Sequence, residues 1–196
     1  MTFLVSNNFP IEIRNCLGLT PLMSAVSEGS VEVVKLFLDA GSDPRAIDSK
    51  GNTMMMLTAY RLEKGSIRTI LDLLLNAGAN PLAKDKDGSS CLHYACDVTM
   101  AEFALAHDAD FNGRNERGET PLIYWCKDES RYAERASVSN YILRQGADPN
   151  LQDKGGRTAL CYARDWQSGE DIVRLLQKLG ANEQIRSDID ILRLWM

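Results

Sequence analysis

The chain has little of what most chemistry needs. Its five cysteines (Cys16, Cys91, Cys96, Cys126, Cys161) form no close ligand pair, and the only other soft ligands are His93 and His107. No metal site is expected, and an odd set of thiols reads as small buried hydrophobes in a reducing, cytoplasmic compartment. A basic stripe is also missing. Opposite charges alternate at Lys84, Asp85, Lys86, Asp87 and at Arg114, Glu116, Arg117, Glu119, with a net charge of -5. A phosphate backbone finds no continuous footprint there, so nucleic acid is not an expected partner. No apolar run approaches the roughly 18 to 20 residues that cross a bilayer. Met1 to Val5 offer neither the basic nor the long apolar part of a leader, so no membrane association is expected. Cys91 and His93 lie close in sequence, but no acid is spaced to orient the histidine, and the helical zinc-protease, phosphate-loop and zinc-deaminase motifs are absent. These absences point away from an enzyme, a cofactor and a small-molecule substrate.

Repetition is what the chain does have. A glycine-headed phrase returns at Gly18-Leu19-Thr20-Pro21-Leu22, Gly51-Asn52-Thr53, Gly88-Ser89-Ser90, Gly118-Glu119-Thr120-Pro121-Leu122 and Gly156-Arg157-Thr158. A closing phrase follows each time, at Gly41-Ser42-Asp43-Pro44, Gly78-Ala79-Asn80-Pro81, Asp108-Ala109-Asp110, Gly146-Ala147-Asp148-Pro149 and Gly180-Ala181-Asn182. Two signatures in fixed order mean a stack of similar units, each covered by its neighbours.

Within the first unit, Thr20-Pro21 is a helix start: a hydroxyl to cap free amides, then a proline whose missing N–H costs nothing there. Leu22, Ala25 and Val26 form one apolar face, Gly29-Ser30 interrupts, and Val31 to Leu38 make a more apolar second helix that stops at Ala40-Gly41. A polar, turn-rich stretch from Asp43 to Lys50 leads to the next glycine. Two antiparallel helices and a projecting loop cannot bury both faces alone.

Gly-x-Thr-Pro-Leu, a small residue three positions later and a Gly-Ala-Asp/Asn ending closely resemble the ankyrin repeat. Thr20-Pro21-Leu22, Thr120-Pro121-Leu122 and Leu92-His93-Tyr94-Ala95 match well, and Thr53-Met54-Met55 less so. The resemblance covers about residues 1–185, with a partial repeat over 1–17 and complete repeats starting near 18, 51, 88, 118 and 156. It implies an all-α solenoid of antiparallel helix pairs with protruding β-hairpin or finger loops. The chain reads as beginning inside a repeat, through natural loss or because it was cut from a longer protein. Residues 186–196 read as a capping helix, a mobile tail or a contact with another chain.

Unit lengths vary. The second is about four residues longer around Arg61 to Ser66, and the fourth about five longer around Lys127 to Ala136. The third is about three shorter, with the loss expected at Asp97 to Met100 between its helices. Trp125 departs from the pattern, since a small alanine belongs there; either the helices spread or the ring leans into the longer fourth unit. Tyr94, Tyr124 and Tyr162 recur at one position and should align as a ladder, either packed internally or facing a ligand. His93 sits where the family often has a histidine bonded to neighbouring loop backbone.

The resemblance further implies recognition by the finger loops and the exposed side of the first helices. The matching positions are Leu17, Leu19, Ser27 and Glu28, then Ser49, Lys50, Asn52, Tyr60 and Arg61, then Lys86, Asp87, Ser89 and Asp97. Later repeats add Arg117, Glu119, Lys127 and Asp128, and finally Lys154, Arg157, Asp165 and Trp166. The strongest candidates are Tyr60, Arg61, Lys86, Asp87, Arg117, Glu119, Lys127, Arg157 and Trp166, as aromatic and guanidinium groups dominate binding hot spots. The expected function is a cytoplasmic adaptor or scaffold binding a protein. The alternatives are a dedicated inhibitor, such as a bacterial immunity protein, and a surface-presenting fragment of a larger protein.

Overall fold

The computed structural model describes residues 10–60, 64–127, 132–165 and 170–182. Among the described residues five helix pairs follow one another: α1 (Pro21–Glu28) with α2 (Val31–Asp39), α3 (Met54–Leu57) with α4 (Lys64–Asn76), and α5 (Cys91–Tyr94) with α6 (Val98–Ala106). They continue with α7 (Pro121–Cys126) and α8 (Tyr132–Arg144), then α9 (Ala159–Arg164) and α10 (Glu170–Lys178). A short 3-10 turn, Thr58–Tyr60, extends α3. The first helices pack in a row, α1 on α3, α3 on α5, α5 on α7 and α7 on α9, and the second helices α2, α4, α6 and α8 form a parallel row behind them. The protein is an all-α solenoid.

Where a threonine stands at the start of a first helix, its hydroxyl caps that helix. Thr20 Oγ1 accepts from Met23 N at 3.2 Å, Thr120 Oγ1 from Ile123 N at 3.3 Å and Thr158 Oγ1 from Cys161 N at 3.3 Å. Four residues after each opening glycine an apolar side chain enters the core: Leu22, Met55, Leu92, Leu122 and Leu160 are all at most 2% exposed. On the second helices Ile70, Met100, Val138 and Ile172 occupy one matched position and are buried. Val33 stands at that position in the first pair, where no described helix precedes it, and is 39% exposed. This is the signature of units that cannot bury both faces alone.

The extra residues of the second and fourth units enter the second helices: α4 and α8 run 13 residues each, against 9 in α2, α6 and α10. The shortened third unit differs from expectation. Asp97 to Met100 are not trimmed: Asp97 Oδ1 caps α6 by accepting from Met100 N at 2.9 Å. The loss falls in the first helix, where α5 has only four residues against eight in α1. Among the described residues the finger loops carry two isolated antiparallel bridges, Ile47–Thr53 and Lys84–Ser90, in place of hairpin ladders.

Candidate functional site

Side chains join backbone turn bonds, such as Asp85 N to Ser89 O at 3.0 Å, in closing the fingers. An Asn or Asp stands three residues before every opening glycine: Asn15, Asp48, Asp85, Asn115 and Asp153. Its Oδ1 accepts two backbone N–H groups, one on each side of the glycine. For Asp85 these are Asp87 N at 2.9 Å and Ser89 N at 2.8 Å, and for Asn115 they are Arg117 N at 2.9 Å and Glu119 N at 3.0 Å. Asn15, Asp48 and Asp153 repeat the pattern on Leu17 and Leu19, Lys50 and Asn52, and Gly155 and Arg157. An Asx turn satisfies amides that no neighbouring strand reaches, so each fingertip is held from within. Fingers also bond to each other, Glu116 N to Asp87 O at 2.8 Å and Lys154 N to Arg117 O at 3.0 Å.

The second oxygen of two of these acids meets the tyrosines. Tyr94 donates to Asp85 Oδ2 at 2.5 Å and Tyr162 to Asp153 Oδ2 at 2.6 Å. Burial, then the bond to the carboxylate, pushes both phenol pKa values up, so both hydroxyls stay protonated donors. Tyr94 and Tyr124 meet edge to face with ring centroids 5.5 Å apart. Tyr94 and Tyr162 thus brace their fingers against first helices, while the half-buried rings of Tyr94 and Tyr124 stay open on one side. Those two rings, with Lys50, Asn52, Asp85, Lys86 and Asp87, line a concavity of about 440 Å³.

His93 links the third and fourth units. Ser90 N donates to its Nδ1 at 3.1 Å, so the ring proton sits on Nε2, which donates to Glu119 O at 3.1 Å. Burial lowers the His93 pKa, which keeps the ring neutral. Trp125 is buried, and its Nε1 donates to His93 O at 2.7 Å. Its indole thus leans back onto the shortened third unit. Cys91, Cys96, Cys126 and Cys161 are buried, and burial lifts the Cys91 thiol to about 11 and that of Cys126 to about 12. Such thiols are poor nucleophiles at neutral pH.

A family model described as ankyrin repeats matches this chain in three overlapping stretches, residues 1–85, 56–153 and 92–188. The chain belongs to the ankyrin-repeat family. Among its relatives, the B-cell lymphoma 3 protein homolog of Mus musculus is 25% identical over 181 residues, covering 90% of this chain and 39% of that protein. The human B-cell lymphoma 3 protein is 28% identical over 181 residues, covering 90% and 38% respectively. An ankyrin repeat-containing protein of Treponema pallidum is 27% identical over 145 residues, 72% of this chain and 46% of its own. The chain spans less than half the length of these curated relatives. Among the described residues no helix is long and apolar enough to cross a membrane.

On this ankyrin array, Lys86, Asp87 and Arg117 are exposed on adjacent fingertips, with Arg117 Nη2 4.0 Å from Asp87 Oδ2. Glu119 is not a surface contact: it is 2% exposed, its Oε2 accepts from Asn115 Nδ2 at 2.9 Å, and its Oε1 pairs with Lys127 Nζ. Asn52, Ser89 and Asp97 are buried too, because finger closure and helix capping consume them. Arg157 is mostly covered, its guanidinium stacked 4.1 Å from the Tyr162 centroid and its Nη2 2.5 Å from Asp165 Oδ2. Glu119 and Arg157 follow their glycines by one residue, Lys127 and Asp165 by nine. The same ion pair thus spans the first helix of successive repeats with its signs exchanged. Opposite charges at those two offsets were the sequence signal for this coupling. Arg61, Asp128 and Trp166 lie outside the described residues, as does the side chain of Tyr60, whose backbone ends the 3-10 turn.

Proposed function

We propose that this chain is a non-enzymatic interaction module, an adaptor or scaffold, that takes a protein partner on the face made by its fingers and the exposed sides of its first helices. One observation carries the reading: consecutive fingertips, each fixed by an Asx side chain, present Lys50, Lys86, Asp87 and Arg117 side by side. A surface ordered before binding loses less entropy when a partner arrives. Lys127 and Arg157 extend the face toward the fifth repeat, with Tyr60, Arg61 and Trp166 as further proposed contacts and Glu119 as the buried counter-ion of Lys127. The mixed signs along the fingertips favour an adaptor over an inhibitor shaped to cover a basic active site. Four cysteines buried as small hydrophobes support a reducing, cytoplasmic setting.

Crosslinking mass spectrometry of partners bound to the full chain tests this. Crosslinks should fall on the fingertip lysines Lys50, Lys86 and Lys154. Crosslinks confined to Lys35 on α2 and Lys178 on α10 would reject the proposed face.

A further inference from the structure

We infer that the cleft of about 200 Å³ beside Leu82 binds a neutral carboxamide side chain, Asn or Gln, presented by an extended segment of a partner protein. The observation behind it is a clasp that four units make and one does not. The residue six before an opening glycine reaches the phrase that closes the same unit. Glu12 Oε1 accepts from Asp43 N at 3.0 Å, and Arg45 Nε donates to Gly78 O at 2.9 Å. Asn112 Oδ1 accepts from Asp148 N at 2.9 Å. Asn150 does both, its Nδ2 donating to Gly180 O at 3.0 Å and its Oδ1 accepting from Asn182 N at 2.6 Å. In the third unit that position holds Leu82, which is 47% exposed and has no polar side-chain group to offer. Asp108 O and Asp110 N, the counterparts of Gly180 O and Asn182 N, have no hydrogen-bond partner among the described residues.

The unfilled place keeps the shape of the filled ones. Asp108 has φ of 63°, in the left-handed region that glycine takes in the other four closing phrases. Ala109 and Ala181, at the centre of the two phrases, are each 9% exposed. Charge does not select an ion here, because Lys84 and Arg114 line the cleft together with Asp108 and Asp110. His93, which also lines it, is neutral and already bonded to Ser90 N and Glu119 O. A carboxamide brings donor and acceptor without charge, as Asn150 does in the fifth unit. The cleft has room for one side chain, and the exposed Leu82 gives its methylenes an apolar contact. The carboxamide exchanges bonds to water for bonds to protein, so the gain is a preference of a few-fold rather than a large affinity. This cleft shares no lining residue with the concavity over Tyr94 and Tyr124, so the inference stands apart from the finger-face reading.

The test probes arrays of 12-residue peptides with the labelled full chain. The central residue is fixed as Gln, Asn, Glu, Lys or Leu and the remaining positions vary. Gln- or Asn-centred peptides should exceed the other three kinds by about fivefold, and the best of them should shift the backbone amide of Asp110 on titration. Leu82→Asn supplies the missing clasp from within, so it should raise the urea midpoint and abolish the preference. Leu82→Ala leaves the two backbone groups open and should retain it. No binding, a preference for Glu, Lys or Leu, or a carboxamide preference that survives Leu82→Asn overturns the inference. An unchanged midpoint in Leu82→Asn also overturns it, since the clasp would then not form at this position. Equal binding of free glutamine overturns the partner segment in favour of a small amide. Crosslinks at Lys50, Lys86 and Lys154 judge the finger face separately, and their outcome does not decide this one.

Discussion

The indole of Trp125 and the main-chain carbonyl of His93 are joined by a 2.7 Å hydrogen bond across the boundary between the third and fourth repeats. That carbonyl lies in the last turn of α5, which ends at Tyr94 after four residues, so it has no next helical turn to bond. The shortened helix and the oversized residue thus compensate one another: one leaves space and an acceptor, the other fills both.

Removing the ring should therefore cost more than an ordinary surface change. Trp125→Ala is expected to destabilise by about 3–5 kcal/mol, the range for deleting a large buried aromatic. Trp125→Phe keeps much of the volume and strands the carbonyl, for about 1–3 kcal/mol. Urea denaturation of the three proteins measures both. Equal stability of Trp125→Phe and the parent would show that the hydrogen bond contributes nothing.

His93 should make stability depend on pH with a definite sign. Its Nδ1 accepts from Ser90 N, and a proton added there would face another donor. Burial lowers its folded pKa, so the unfolded chain binds the proton more readily. The contribution is complete above the unfolded value of about 6.5 and is lost as pH falls toward the folded value, by up to about 1.4 kcal/mol per pH unit. His93→Gln retains one acceptor and one donor without the titration. Its urea midpoint should vary less than the parent's between pH 5 and 7, and parallel curves would refute the assignment.

Local chemistry explains how much of this was readable. Gly18, Thr20-Pro21 and Gly41 act within a few residues of themselves, so helix pairs and stacking follow from pattern alone. The lengthened units were also visible, but packing against neighbouring second helices determined that α4 and α8 would absorb the residues. Asn15, Asp48, Asp85, Asn115 and Asp153 stand at one offset throughout, but only the folded finger brings the two amides to each side chain. Glu119 looked exposed for a related reason. Its burial requires Lys127 to fold back along α7, a tertiary event that no single repeat phrase specifies.

Two glycines with nearly the same backbone should respond differently to one methyl group. Gly118 and Gly156 have φ of 76° and 74°. A Cβ at Gly118 would lie 2.9 Å from Lys154 N, while one at Gly156 meets nothing within 4 Å. Gly156→Ala should cost about 1–2 kcal/mol from the left-handed conformation alone. Gly118→Ala adds an overpacking cost of about 1–3 kcal/mol and should disturb the Lys154 N to Arg117 O bond. Denaturation midpoints give the difference, and hydrogen exchange at Lys154 locates it. Identical losses would mean the fingers separate freely.

The exchanged ion pairs predict an asymmetry between otherwise equivalent positions. Glu119 has a side chain 2% exposed, whereas Asp165 is 43% exposed and can turn to water. Lys127→Met leaves a carboxylate buried without its cation, which should cost about 1–3 kcal/mol, less than for a fully enclosed pair because Lys127 is itself partly solvated. Asp165→Asn breaks a pair that water screens and should cost no more than about 1 kcal/mol. The double variant Glu119→Gln/Lys127→Met removes both charges and should recover most of the loss, since a neutral amide can still accept from Asn115 Nδ2. A double-mutant cycle on urea midpoints reads the coupling. If the two losses simply add, Glu119 is solvated in the protein and its ion pair with Lys127 does not anchor the fourth finger.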